Sequence, residues 1–258
     1  MIDNHNEFYR FKYLGFGDEN LSLNVIKEGT IKFTCPLDFN DPFDCQPVSV
    51  VDDAVVNAPF FKRAQAEKGL SPARKITERG KMIANLRRAT ESGDLERAFL
   101  KTMGILSLSR TPSDILMWSH YADYHRGFVV GFKYDIEKMS YNSTLSDLIP
   151  HPVKYSDERF VRYASKPFST DCLLLKSSAW KYEQEERVIT ANEGPGIHPY
   201  NKKDLLYCVI AGARIQSDKL KLLKDAVKSA SNELNRDVIL KQARLSKDKF
   251  AIDIIGLT

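Results

Sequence analysis

The stretch Phe8-Tyr9-Arg10-Phe11-Lys12-Tyr13-Leu14 alternates aromatic and basic side chains with a period of two. Successive side chains of a strand point to opposite faces, so this pattern reads as a strand with one face in a core, Tyr9, Phe11 and Tyr13 sharing a face. Further strands are expected at residues 30–34, 105–109, 128–132, 205–210, 238–240 and 250–255, with another around 153–155. Helices are expected at 20–28, closed by Gly29, and from Ser71-Pro72 onward, where the serine caps and the proline takes the first helical position. A helix through Trp118-Ser119-His120-Tyr121 is read as ending at Gly127. Another is read at 173–179, and a last one is capped near Ser217-Asp218 with Leu220, Leu223, Val227 and Leu234 on one face. Residues 182–190 fit either a strand or a helix. Asn40-Asp41-Pro42 reads as a turn that sends Phe43 into the core. The elements come in mixed order without a βαβ rhythm, which points to an α+β fold.

With 258 residues and 43% apolar content, the chain can bury one large core, and it reads as a single domain over 1–258. No stretch approaches the roughly 18 uncharged residues of a membrane-spanning helix. The first eight residues carry Asp3 and Glu7 without a basic flank or an apolar run, so a cytoplasmic protein is expected. Cysteines 35, 45, 172 and 208 form no C-x-x-C pair and lack a histidine at ligand spacing, which reads as reduced core thiols and no metal site. The net charge of +4 is modest, but its distribution is uneven. Between Phe61 and Met103 stand eleven Lys or Arg against five Asp or Glu. Residues 52–103 therefore read as a basic, mostly helical insertion, either a solvated face or a surface for a polyanion.

Four groups of residues have the composition of a site. If Glu183-Gln184-Glu185-Glu186-Arg187 is a strand, Glu183, Glu185 and Arg187 share a side at about 6 to 7 Å spacing. If it is a helix, Glu183 and Arg187 are a surface i,i+4 pair. The run from Trp118 to Gly127 packs His120, His125, Tyr121, Tyr124 and Arg126 ahead of a buried strand and suits either a stacking floor for a flat ring or a core helix with surface histidines. Asp41 and Asp44 would be metal ligands in a nuclease, or parts of a proline-locked turn. Ser107 and Ser109 face one way on their strand. No Walker loop, G-x-G-x-x-G, G-x-S-x-G or H-E-x-x-H is present.

In this order, Tyr9-Arg10-Phe11-Lys12-Tyr13, Phe39-Asn40-Asp41-Pro42-Phe43-Asp44, Ser107-Leu108-Ser109, Met117-Trp118-Ser119-His120-Tyr121, Trp180-Lys181-Tyr182-Glu183-Gln184-Glu185-Glu186-Arg187 and Val209-Ile210-Ala211-Gly212-Ala213-Arg214 resemble the signature of a bacterial domain-of-unknown-function family. The motif order also resembles ADP-ribosyltransferases, in particular toxins of phage-defence toxin-antitoxin-chaperone systems. That resemblance implies a split mixed or antiparallel sheet with flanking helices and a helical insertion. It implies NAD as co-substrate, RNA as acceptor and an antitoxin protein as a further partner. Under it Glu185 is the glutamate that stabilises the ribosyl cation, Glu183 its orienting neighbour and Tyr121 a ring for the nicotinamide. Arg10 or Lys12, with Tyr9 and Trp118, would hold NAD, and Ser107 and Ser109 would brace the glutamate. His120, Arg126 and Arg187 would meet the acceptor.

The expected function is thus an NAD-dependent ADP-ribosyltransferase toxin modifying RNA in anti-phage defence. A non-enzymatic sensor or partner-binding module, and a metal-dependent nuclease, are the alternatives.

Overall fold

In the computed structural model, which describes residues 7–67, 69, 71–138 and 144–257, the alternating segment is a strand, β1 (Glu7–Leu14). Seven more strands join it: β2 (Gly104–Ser109), β3 (Phe128–Asp135), β4 (His151–Pro152), β5 (Glu185–Thr190), β6 (Leu206–Ala211), β7 (Ile239–Leu245) and β8 (Ile252–Gly256). They form one mixed sheet in the order β8-β7-β6-β3-β1-β2-β5-β4. Its one parallel pair, β6 with β7, is bridged by the long helix α2 (Ser217–Leu234), while α1 (Ile115–Tyr121) lies between β2 and β3 in sequence. The fold is α+β.

The chain divides into two compact units. The first comprises residues 1–34, 104–153 and 179–258, and the second residues 35–103 and 154–178. Where the sequence reads as one domain with an insertion over 52–103, the second unit starts earlier, at Cys35, and recruits 154–178 as well.

In the first unit the strand period sorts side chains onto two apolar faces. Leu106, Leu108, Phe128, Val130, Phe132, Val209 and Ala211 pack with Leu223, Ala226, Val227 and Ala230 of α2. Tyr13, Val129, Cys208 and Ile210 pack on the other face with Met117 and Trp118 of α1. Gly131 is required on this second face, since a Cβ there would lie 2.5 Å from Cys208 Sγ and 3.2 Å from Phe11 Cε1.

The lacing of the sheet is uneven. β1 pairs with β3 from Glu7–Asp135 to Leu14–Phe128, and β2 pairs with β5 from Ser109–Glu185 to Gly104–Thr190. Between β1 and β2, the register consists of the single pair Phe11–Ser109. Two well-laced halves therefore meet at one point, beside Glu185.

The second unit holds helices Pro59–Glu67, Pro72–Glu91 and Asp94–Leu100, and two short parallel strand pairs. Ser71-Pro72 does start a helix, and Ser92-Gly93 separates it from the one that follows. No described side chain of Pro72–Glu91 is buried, and Ile76 is 76% exposed. The six Lys and Arg of that helix are all exposed.

Three local expectations are corrected. Residues 173–179 are not a helix: a 3-10 helix ends at Leu174, a strand runs Leu175–Ser177, and a second 3-10 helix spans Ser178–Glu183. The helix α1 stops at Tyr121 instead of Gly127, because Asp123, Tyr124 and His125 follow in left-handed conformations (φ 46°, 53° and 68°). Phe43 is 63% exposed, under the Arg159 guanidinium, and it is Asp41 and Asp44 that are buried in its place.

Candidate functional site

The segment that fits two secondary structures contains both. Trp180, Tyr182 and Glu183 lie in the 3-10 helix Ser178–Glu183, and β5 begins at Glu185. Gln184 joins them in a left-handed conformation, φ 45°, which only a well-fixed turn sustains in a non-glycine residue. The end of β2 supplies the fixing. Ser109 Oγ donates to the Glu183 carbonyl at 2.7 Å, and the Arg110 backbone N–H donates to the Gln184 carbonyl at 3.1 Å.

Three carboxylates leave this turn in different company, and all are buried. Glu183 Oε1 accepts from the Tyr121 hydroxyl at 2.6 Å. Glu185 takes a two-pronged grip from Arg187, Nε at 2.8 Å and Nη2 at 3.0 Å, as expected for residues two apart on one strand face. Glu186, on the opposite face, is held by Arg10 through Nε and Nη2 and by Arg110 Nε at 2.7 Å.

Lys12 is the basic residue of β1 that answers Glu183 and Glu185. Its Nζ donates to the Ser107 carbonyl at 3.1 Å. Burial pushes its ammonium down to about 8; the carboxylates of Glu185 and Glu183 pull it back up, and Lys32 lowers it slightly. The site thus combines two carboxylates fixed by a phenol and a guanidinium with one amine poised near neutrality. A carboxylate pair so held is preorganised to stabilise positive charge developing on a bound molecule.

Beside Glu183 stand four rings. His120 Nδ1 lies 3.0 Å from the Tyr182 hydroxyl. The His120 ring centroid is 6.0 Å from Tyr121, 6.1 Å from Tyr182 and 6.5 Å from Trp180. His120 is exposed and the other three rings are partly so. The helix α1 presents His120 and Tyr121 because Asp114 caps it, accepting the Met117 N–H at 2.9 Å, and because Met117 and Trp118 anchor its inner face.

Residues 117–188 match a family model described as "Protein of unknown function (DUF2971)". The match runs from α1 into β5 and so takes in Tyr121, Trp180, Glu183, Glu185 and Arg187, but neither Lys12 nor the serines. No curated protein and no solved structure matches the chain.

The remaining candidates fall elsewhere. Trp118 is fully buried, its ring edge-on to Tyr13 and its Nε1 donating to the Pro112 carbonyl at 2.8 Å, so it belongs to the core and offers no face to a ligand. Tyr9 packs against Tyr207 at 4.9 Å, and burial raises its phenol pKa. Arg126 pairs with Asp123 at 2.9 Å and lines a cavity of about 480 Å³ with Phe16, Gln216 and Lys219. Arg10 is committed to Glu186, and Ser109 to backbone. Asp41 Oδ1 accepts the Phe43 N–H at 2.9 Å, and Asp44 lies 3.5 Å from Lys176. Among the described residues no group of three His, Cys, Asp or Glu is arranged to hold a metal ion, and no helix is long and apolar enough to cross a membrane.

Sequence reasoning missed the clamp of Glu186 by Arg10 and Arg110, and the placing of Trp180 and Tyr182 beside His120.

Proposed function

We propose that this protein is an NAD-dependent ADP-ribosyltransferase that modifies RNA, a toxin of bacterial anti-phage defence. The observation that supports this reading most is the fixing of two buried carboxylates, Glu183 on Tyr121 and Glu185 on Arg187, within electrostatic reach of the Lys12 amine, which itself donates to the Ser107 carbonyl. The junction of β1 with β2, laced by the single pair Phe11–Ser109 within one continuous sheet, lies next to those groups.

The donor set fits the demands of NAD. Lys12 offers a cation for the diphosphate, and Glu185 a fixed anion for the ribose. Cleavage of the bond between ribose C1′ and the nicotinamide nitrogen sends the electron pair to nicotinamide and leaves positive charge on the sugar. Glu185 stabilises that charge more as it grows than in the ground state, which lowers the barrier. Glu183, oriented by the Tyr121 hydroxyl, receives the proton that the attacking acceptor group loses on bonding to C1′. The test is incubation of purified protein with labelled NAD and cellular RNA. Label should pass to RNA, and Glu183→Gln should stop it; absence of both transfer and NAD hydrolysis refutes the reading.

One observation favours a second reading. Arg187 has no solvent exposure and grips Glu185, which suits a structural ion pair in a non-enzymatic partner-binding module. Under that reading the substitutions change stability alone.

A further inference from the structure

We propose that the solvent-facing side of helix Pro72–Glu91, in the second unit, is a docking surface for the phosphate backbone of single-stranded RNA. That the polyanion is RNA rests on the transferase reading; the face itself rests on the placement of charge.

The helix has an inner and an outer side. Glu78, Met82, Leu86 and Ala89, which share a side at about 100° per residue, are half-buried. Arg74, Lys81, Arg87 and Arg88 lie on the opposite side and are exposed, with Glu91 as the one acid among them. The inner half carries only Lys75 and Arg79 against Glu78. The positive surplus of the helix is therefore turned outward.

Arg74, Lys81 and Arg88 form the sharpest part of the pattern. They are seven residues apart, almost two full turns, so each lies about 20° round from the last and about 10.5 Å further along the axis. That separation is about one Debye length at 0.1 M salt, so the three repel one another weakly while all act on one strand of phosphates. Lys81 Nζ meets Glu78 at 3.1 Å, and Arg88 Nη2 donates to Asn85 at 3.1 Å. These are exposed contacts within the helix, of the kind that contribute little and that an incoming phosphate replaces readily. Beside the row run Ala73, Thr77, Gly80 and Ala84, all small and exposed. Gly80 weakens a helix relative to alanine, yet a Cβ there would meet nothing within 4 Å, so packing does not demand it. Low side chains next to a line of cations let a phosphate strand come close. The helix contains no aromatic residue on which a base could stack, so its contacts are to the backbone and indifferent to sequence.

A labelled single-stranded RNA oligonucleotide should be titrated into the full chain, without NAD, at several salt concentrations. Each phosphate contact contributes about 0.7 to the slope of log K against log salt. Arg74→Gln, Lys81→Gln and Arg88→Gln together, which keep helix propensity, should lower the slope by about 2 and weaken binding at least about tenfold at about 0.15 M salt. A charge-matched comparison isolates the face. Lys81→Gln with Arg88→Gln should lower the slope by about 1.4, whereas Lys75→Gln with Arg79→Gln should change it by less than about 0.5. Equal effects of the two pairs would reduce the face to net charge and overturn the proposal, as would RNA binding that is absent or insensitive to salt. Displacement of the RNA by polyglutamate as readily as by unlabelled RNA of equal charge would assign the surface to an acidic protein and overturn it too. NAD hydrolysis without RNA should be unchanged in the triple variant. Binding that depends on the face, without label transfer by the parent, keeps the surface and removes the transferase. Label transfer with an unchanged KM for RNA in the triple variant does the reverse.

Discussion

The Tyr121 hydroxyl donates to Glu183 Oε1 at 2.6 Å and ties the last residue of α1 to the turn that precedes β5. Neither element could position this carboxylate alone, because Glu183 sits in a 3-10 turn whose own hydrogen bonds say nothing about χ angles. Tyr121→Phe removes the hydroxyl and leaves the ring. The expected cost is about 1.5–3 kcal/mol in denaturant unfolding, the usual contribution of a hydrogen bond to a charged group. Label transfer from NAD should fall at least tenfold in the same variant. Unchanged transfer would show that the phenol only supports the fold.

Glu185 and Arg187 raise a different issue, because one substitution tests chemistry and stability together. Arg187 is fully buried, and removing one partner of a buried pair costs roughly 3–5 kcal/mol, whereas replacing both by apolar residues is often neutral. Arg187→Met should therefore lower the urea midpoint strongly, and Glu185→Leu combined with Arg187→Met should recover most of the loss. Both Glu185→Gln and the double variant should be inactive when assayed below their own transitions. Transfer by the folded double variant would restrict Glu185 to a structural role.

Lys12 gives the site a pH dependence whose sign follows from its environment. Burial holds its ammonium near 8, with Glu185 and Glu183 opposing that shift and Lys32 adding to it. The residue is thus charged below about 8 and neutral above, well before an ordinary lysine. If its charge holds the NAD diphosphate, KM for NAD should rise as pH passes from 7 to 9. Lys12→Arg, which does not titrate in this range, should keep KM flat, and Lys12→Met should show the high KM throughout. In stability the sign is opposite. Between about 8 and the unfolded value near 10.5 the unfolded chain binds the extra proton, so folding should strengthen as pH rises through that window. A parent profile identical to that of Lys12→Met would exclude this role.

Much of this arrangement was legible in the chain. Period-two alternation identified β1, and the apolar positions of α2 named the face that it buries, because both follow from backbone geometry. Glu185 could be singled out for the same reason, whereas Glu183 lies in the 3-10 turn before the strand and shares no strand face with it. Their partners could not: Tyr121, Lys12 and Ser109 come together only through sheet order, and a single-pair junction between β1 and β2 leaves no mark in local sequence. Arg10 and Lys12 look equivalent by alternation, and their roles separate only because Glu186 faces one of them. Trp118 and Trp180 are equally aromatic. It is the position on α1, inside against Tyr13, that removes Trp118 from the surface, whereas Trp180 lies in a 3-10 turn just past the helix expected at 173–179 and stays partly exposed.

Arg10 supplies the last prediction. Its Nε and Nη2 bind both oxygens of Glu186, its Nη1 donates to the Tyr9 carbonyl at 2.8 Å, and its guanidinium lies 4.5 Å from the Phe8 ring centroid. A guanidinium so fully engaged has little left for a phosphate. Glu186 is nearly inaccessible, so Arg10→Met would leave it with the more exposed Arg110 as its remaining cation among these partners. The expected loss is on the order of 3 kcal/mol of stability. KM for NAD, measured below the transition, should stay within about twofold of the parent. The contrast with Lys12→Met is the informative part: a first-strand cation that contacts NAD must change KM, and one that braces the sheet must change the unfolding midpoint. A large KM effect in Arg10→Met with an unchanged midpoint would reverse the two assignments.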